Sequence, residues 1–391
     1  MKKATLPLRS FRLKNFKAVR DSGEIAFSPL TVFIGNNGSG KSSIIEGLET
    51  FQTIMTDGLD KAMEQWRGFE HVWNKAVPHA HRKLAEYDFY SNPVSFALKG
   101  NTGNKIPIHA EMELAMVPSS GDETNVIIRR EKLNARKHFE VTRDWAGAVR
   151  TRRNDQEELT LYGKGESCLK RWLMPIQQDA WQFLSMHPQA MGIPRPQRRS
   201  GGVVALEKDG SNVAEYLGGI RKISQSAFDG IVETLQFVLP YAQDLQPAVT
   251  SELERNVFLL LTEGGFKVPG WLLSTGTMRL VALLTLLRHP TPPPLIVIEE
   301  IENGLDPRTI HLIIDEIREA VQEGRTQVVL TTHSPYFLNL VPLQTIVLVE
   351  RDEKGEPHFW RPADEEEVNE WGKKFAPGEL YTAGRFKRGR R

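Results

Sequence analysis

Residues 35–42 read Gly-Asn-Asn-Gly-Ser-Gly-Lys-Ser and satisfy G-x-x-x-x-G-K-[ST] with no mismatch. The chemistry that such a run can do is to hold phosphate. Glycines let the chain turn sharply, so the backbone N–H groups of Asn36, Asn37, Gly38, Ser39 and Gly40 can face one concavity that accepts an anion. Lys41 supplies a point charge for the β and γ oxygens of a nucleotide, and the Ser42 hydroxyl can ligate Mg2+. A helix that opens at Lys41 and continues through Ser43 aims its positive end at the same anion.

Three further stretches carry groups suited to act on a bound phosphate. In PPPLIVIEEIENGLDP, residues 292–307, an apolar run ends directly in Glu299 and Glu300. Carboxylates just past the C-terminal end of a central strand stand where open α/β sheets bind ligands. One can hold Mg2+ or its water, and the next can orient or deprotonate an attacking water. In WLLSTGTMRLVALLTLLRHP, residues 271–290, Ser274, Thr275, Gly276 and Thr277 form a polar turn ahead of an apolar helix. That helix start is either a second anion site or an ordinary N-cap by Ser274 or Thr275. In QVVLTTHSPYFLN, residues 327–339, a β-branched strand ends at His333, whose neutral imidazole can hydrogen-bond a phosphate oxygen.

These groups need elements to carry them. LTVFI, residues 30–34, reads as a buried strand before the phosphate loop, and Ile44, Ile45 and Leu48 give a helical stripe after it. Residues 8–34 predict two or three short strands, and residues 94–163 alternate in a way that predicts a meander of antiparallel strands. Helical patterns follow at 167–190 and 211–238, separated by the loop-forming GIPRPQRRSGG. Trp66, Phe69 and Trp73, at near-helical spacing, are expected in the core.

Composition bounds the reading. With 391 residues, 40% hydrophobic and 25% charged, the chain has the make-up of a globular protein of one to three domains. Its net charge of +1 neither favours nor excludes a nucleic-acid partner. The single cysteine, Cys168, excludes an internal disulfide framework and any zinc cluster of paired cysteines, and is expected as a small core residue. The basic start lacks an apolar signal core and no run of about 18 apolar residues occurs, so a cytoplasmic protein without a membrane span is expected.

Taken in order, the motifs resemble those of the ABC-type ATPases of the SMC, RecF and OLD group. GNNGSGKS resembles the phosphate loop, LSTGT the signature motif, LIVIEE the acidic strand, GLDP the D-loop and TTHSP the switch-histidine loop. LEKDGSNVAEYL, residues 206–217, also resembles a segment of the RecF-like and OLD-like branches. The resemblance implies an α/β fold: an ABC-type P-loop nucleotide-binding domain with a mixed sheet, an inserted antiparallel β-meander and a helical subdomain. It places the ATP-binding core halves at residues 1–55 and 265–391, the meander region at 56–166, and the helical subdomain with signature-side elements at 167–264. It further implies an ATPase using ATP and Mg2+. Lys41 and Ser42 would hold phosphate and Mg2+, Glu299 would support Mg2+, Glu300 would polarise the water and His333 would sense the γ-phosphate. Ser274 and Gly276 would contact the nucleotide of a partner subunit, and Asp306 would link the two sites.

The sequence departs from that pattern in places. Glu299 stands where many relatives have Asp, Thr277 replaces the usual Gln of the signature, and Gln177 and Gln178 are the candidates for a Mg2+-contacting glutamine. Long coiled-coil arms and a nuclease domain after residue 350 are not expected, which points to a separate effector protein. The leading expectation is therefore an ATP-hydrolysing switch that forms a head-to-tail homodimer on ATP and controls a partner effector or grips nucleic acid, in anti-phage defence or a toxin-antitoxin-like pair. The alternative is a RecF-like DNA-repair clamp. Its support is residues 129–153, where nine Lys and Arg face three acids. A solvated face of the meander explains that stretch equally well.

Overall fold

The computed structural model describes residues 6–76, 81–84, 87–90, 92–101, 105–118, 124–135, 139–154, 156–171, 181–196, 205–251 and 253–387. By its internal packing the chain divides into two units, Met1–Trp181 with Val347–Pro362, and Gln182–Ile346 with Ala363–Arg391.

The first unit starts with strands β1 (Leu8–Phe16), β2 (Val19–Asp21), β3 (Ile25–Ala26) and β4 (Leu30–Ile34). All five residues of β4 are buried, which is why LTVFI shows no alternation. Helices α1 (Lys41–Thr56) and α2 (Leu59–Gln65) follow, then the ladder of β5 (His81–Leu84) with β6 (Tyr87–Tyr90). The meander is β7 (Val94–Asn101), β8 (Pro107–Pro118), β9 (Thr124–Ala135), β10 (Phe139–Arg143), β11 (Ala148–Arg153) and β12 (Gln156–Leu161). Each strand pairs antiparallel with the next, as the alternation predicts, and β7 pairs with β1 to join the meander to the N-terminal strands. The resulting sheet runs β12-β11-β10-β9-β8-β7-β1-β2, with β3 also on β1.

Helix α1 lays its apolar stripe on this sheet. Ile44, Leu48, Phe51 and Met55 are fully buried, and the Phe96 ring of β7 lies about 6 Å from the rings of Phe11, Phe16 and Phe51. Truncating one such ring leaves a cavity that typically costs ~3–5 kcal/mol. Phe69 and Trp73 are buried in ring contact, and the Trp66 indole donates to Thr50 Oγ1 at 2.8 Å, so these aromatics serve packing as expected.

The second unit begins with β13 (Trp181–Leu184), α3 (Pro188–Gly192) and β14 (Arg195–Pro196). The loop expected at 192–202 falls partly outside the described residues. Helices α4 (Val213–Ile223) and α5 (Gln225–Val238) meet the helical expectation. The region expected as a helical subdomain, 167–264, also contains β15 (Ala242–Val249) and β16 (Asn256–Glu263), and β17 (Phe266–Pro269) follows it, an antiparallel sheet with β14 on β16 that the sequence reading missed; within the helical pattern expected at 167–190, Trp181–Leu184 is likewise a strand. The cause is visible in β16, where Val257, Leu259 and Leu261 are buried while the apolar residues between them hide the period of two.

Helix α6 (Thr275–Leu287), β18 (Leu295–Ile298), α7 (Pro307–Gln322), β19 (Gln327–Thr332) and α8 (Pro335–Leu338) complete the central part of this unit. Strands β18 and β19 pair in parallel, with β13 on the other side of β18. Arg288, at the end of α6, forks onto both carboxylate oxygens of Glu316 on α7 at 2.7 and 2.6 Å and donates to Gly230 O on α5, tying three helices together. The chain then contributes β20 (Ile346–Arg351) and β21 (Pro357–Trp360), an antiparallel pair, and ends its described part with α9 (Glu366–Gly372) and α10 (Pro377–Thr382).

Candidate functional site

The predicted site residues fall into one group on the first unit and one on the second. On the first unit, β4 ends at Ile34 and α1 starts at Lys41, so residues 35–40 form the connecting loop. Gly40 occupies the N-cap position of α1 with φ +114°, and a β-carbon on it would press against Pro357 at 3.0 Å, so the position demands glycine. No side chain caps α1 and its first turn holds no acid, so neither a cap nor a first-turn carboxylate compensates the positive helix end. Asn36, Asn37, Gly38 and Ser42 are exposed, whereas Ser39, Gly40, Lys41 and Ser43 are buried. The Lys41 ammonium bonds Gly35 O at 2.8 Å and Asn36 O at 3.1 Å. Ser39 Oγ is buried with no protein partner. A loop with a bare helix end, an exposed Ser42 hydroxyl and an unanswered Ser39 hydroxyl fits a nucleotide phosphate.

Sequence reasoning missed one brace of this loop. Arg351 on β20 donates from Nε to Gly38 O at 2.7 Å. No local pattern could have revealed a partner so distant in the chain.

On the second unit, Glu299 and Glu300 follow β18 directly. Glu299 is half-buried, and its N–H donates to Leu184 O at 3.0 Å. Glu300 is exposed and takes a left-handed backbone, φ +48°. For a non-glycine residue that geometry costs roughly 1–3 kcal/mol and persists only where neighbours enforce it. The enforcing contacts are the Glu300 N–H to Thr331 Oγ1 at 2.9 Å, the Ile301 N–H to Thr331 O at 3.2 Å, and Arg279 Nη2 to Glu300 O at 2.9 Å. Asn303 Nδ2 donates to Glu300 Oε2, and His333 Nε2 lies 4.0 Å from Glu300 Oε1, so the structure brings these two predicted residues together. Glu302 Oε1 accepts the His333 N–H at 2.6 Å, which fixes the start of the histidine loop. Thr331 and Arg279 thus support the site without having been singled out from the sequence, and Glu302, read there as the alternative base, instead holds the His333 N–H.

The signature turn and the D-loop are also neighbours within this unit. A β-carbon on Gly276 would sit 2.6 Å from Gly304 O, so backbone meets backbone there and only glycine fits. Ser274 caps α6, its Oγ accepting from Thr277 N at 3.1 Å and lying 2.8 Å from Thr277 Oγ1. Thr277, in place of the usual Gln, is buried and engaged in this cap. Asp306 caps α7, accepting from Arg308 N at 2.9 Å, Thr309 N at 3.2 Å and the Thr309 hydroxyl. The Thr309 hydroxyl and the two amides hold the Asp306 carboxyl below its usual range, against a smaller opposing effect of burial.

Other predictions meet different fates. Gln177 and Gln178 lie outside the described residues. LEKDGSNVAEYL forms a self-bonded turn, with Asn212 Oδ1 accepting from Glu207 N at 2.7 Å and Ser211 Oγ bonding Glu207 Oε2 at 2.9 Å. Part of the basic stretch is ion-paired, and Arg136 and Lys137 lie outside the described residues. Arg143 is buried against Glu131, and Lys132, Arg150 and Arg152 pair with Glu140, Glu157 and Glu140. Cys168 is buried, and burial together with the Glu131 charge pushes its thiol far up, so it acts as a core residue. Among the described residues no cluster of three or more His, Cys, Asp or Glu could hold a metal by itself. Mg2+ that keeps waters and leans on nucleotide phosphates accepts hydroxyl and carboxylate oxygens, the kinds of group that Ser42 on the first unit and Glu299 on the second each offer.

A phosphate loop on a helix start, paired acids behind a parallel strand and a glycine-tight signature turn define a P-loop ATPase of the ABC type. Comparison with known proteins agrees. Residues 182–339 match the family described as "AAA domain, putative AbiEii toxin, Type IV TA system", and residues 7–140 match the family described as "AAA ATPase domain". A search of the curated proteins found none that matches. Among solved structures, the chain is similar to an SmcHead bound to the C-winged helix domain of ScpA, with 14% identity, 90% of this chain and 97% of the other covered, and a TM-score of 0.54. It is also similar to an Smc head domain with an extended coiled coil bound to the C-terminal domain of ScpA, derived from Pyrococcus furiosus, with 14% identity, 94% and 99% covered, and a TM-score of 0.50. The chain thus has the fold of the SMC head domains, and the two AAA matches support ATP hydrolysis.

Proposed function

We propose that this ATPase is a switch that dimerises head-to-tail on ATP and controls a separate effector protein. Each composite site would take the phosphate loop of one chain and the Ser274-Gly276 turn of the other, giving two equivalent sites by two-fold symmetry. The observation that carries this reading is the signature turn itself. Ser274 and Thr275 are exposed, and the first turn of α6 holds no acid, so a helix end suited to an anion faces outward.

In this reading the core halves are residues 1–55 and 265–391, with the meander at 56–166 and the signature-side elements at 167–264. Residues 36–43 cradle the phosphates, Ser42 and Glu299 hold Mg2+, Glu300 accepts the proton of the attacking water, and His333 reports the γ-phosphate to its neighbour Glu300. Asp306 sits behind Gly304, where the turn and the acid loop touch, and so stands between the two sites. When bound, Mg2+ neutralises charge on the phosphate oxygens. ATP favours the dimer only through contacts that it makes there and ADP does not. The toxin-antitoxin wording of the matched family supports a defence setting, and the ScpA-bound neighbours support a non-ATPase protein partner. The ion pairing of the basic stretch removes much of the support for a DNA clamp.

The test is complementation. Lys41→Ala and Ser274→Arg should each abolish ATP turnover alone, yet their mixture should regain it, because a mixed dimer holds one intact composite site. A mixture that stays inactive while sizing shows mixed dimers would count against independent shared sites. Lys41→Ala/Ser274→Arg on one chain, mixed with wild type, then decides whether the turn works within its own chain.

A further inference from the structure

We propose that Arg279 is a positioning residue for ATP hydrolysis, holding the left-handed turn of Glu300 and thereby tying the general base to the signature helix. Among residues 277–287 of α6, all of them buried, Arg279 is the one charged side chain. A leucine would pack there at far lower desolvation cost, so packing alone does not account for an arginine at this position. Its contacts show what it does. Nη2 donates to Glu300 O at 2.9 Å and Nη1 to Met186 O at 3.3 Å, while Nε is buried with no partner. A guanidinium so thinly satisfied contributes little as mere packing. The Glu300 carbonyl that it holds belongs to the peptide whose φ of +48° sets where the Glu300 carboxylate stands.

The origin of Arg279 gives the contact a second meaning. It lies one helical turn beyond Gly276, on the same rigid element as the outward-facing Ser274 and Thr275. A shift of α6 on engagement of its N-terminal turn would pull on Glu300 O through one hydrogen bond. Engagement of the signature turn of a chain would therefore set the base of that same chain, independently of how tightly nucleotide is held. This rests on the assignment of Glu300 as the base in the proposed function.

The test separates positioning from packing. Arg279→Met keeps nearly the volume and removes both donors, Arg279→Lys keeps a charge and one reach, and Thr331→Val removes the hydroxyl that accepts the Glu300 N–H while leaving the Thr331 carbonyl bond to Ile301 N–H. Arg279→Met should lower kcat at least about tenfold with ATP affinity by calorimetry within about twofold, Arg279→Lys should recover part of the rate, and Thr331→Val should act in the same sense. In a Glu300→Gln background, Arg279→Lys should lower the residual rate no further, since the base it positions is already gone. Equal proportional losses in both backgrounds would make Arg279 a packing residue, and a fall in affinity that accounts for the rate would overturn the proposal as well. Wild-type turnover in Glu300→Gln would instead remove the assignment of the base. If Arg279→Met does not fold, the Arg279→Lys cycle and Thr331→Val decide alone.

Discussion

Glu131 and Arg143 form an ion pair at 3.2 Å with neither side chain exposed to solvent. Further bonds hold the pair: Glu131 also accepts from Cys168 N at 3.0 Å and from Ser167 Oγ, and Arg143 donates to Gly163 O at 2.7 Å and to Glu166 O, while its Nε is buried without a partner. Ser167 Oγ in turn reaches Met55 Sδ of α1 at 3.4 Å. The segment after the meander is thus pinned to the helix that starts at Lys41. Removing one partner leaves a buried charge, so Arg143→Met should destabilise the first unit by ~3–5 kcal/mol, whereas replacing both with apolar residues should restore much of that loss. Urea unfolding read by tryptophan fluorescence checks this; a single mutant within about 1 kcal/mol of wild type would mean that water reaches the pair.

Lys41→Ala should lower ATP affinity at least about tenfold, because a charge-assisted contact to phosphate is lost. The chain should still fold, since two of the lysine's bonds in the protein are to carbonyls of its own loop. Calorimetric titration gives the affinity and circular dichroism the fold. Unaltered binding would move the phosphate site away from this loop.

Glu300→Gln should bind ATP normally and hydrolyse it about 10²–10⁴-fold more slowly, because an amide can hold a water but cannot take its proton. His333→Ala should leave affinity intact and slow turnover roughly 10- to 100-fold through the lost contact to a charged oxygen. Turnover at the wild-type rate in Glu300→Gln would shift attention to Glu302, whose Oε1 is already occupied by the His333 N–H.

Asp306 makes a pH-dependent contribution with a definite sign. Its folded pKa lies below the usual 3.8, so its stabilisation is complete above that value and disappears as pH falls through the depressed folded pKa. Asp306→Ala should cost about 1 kcal/mol at neutral pH, as for other N-caps, with the difference narrowing below pH 3.8. Asp306→Asn should keep most of the cap and lose the pH dependence. Thermal unfolding at both pH values measures it, and a difference that widened on acidification would contradict the cap as the source.

The parts of this molecule that could be read from the sequence are those fixed by neighbouring residues. The phosphate loop, the acids after β18 and His333 each depend on a few consecutive residues at one strand end, so their spacing reveals them. The meander was visible because one face of each strand is buried, as in β7, where Val94, Phe96 and Leu98 alternate with more exposed residues. What escaped depends on partners remote in sequence. Arg279 reads as an ordinary helix residue until Glu300 O is found beside it, and Arg143 counts as surface charge until Glu131 is seen opposite. The β15–β16 pair was lost to helix because a run of leucines looks alike in both periods.

The brace on the phosphate loop has a consequence for how the protein is made. Arg351 follows Gly38, whose carbonyl it holds, by 313 residues, and Pro357 lies against Gly40. At about 5–20 residues per second, a ribosome needs roughly a quarter of a minute to a minute to bridge that gap. During that interval the loop exists without this support. The brace on the phosphate loop is thus among the last contacts of the first unit that synthesis can complete.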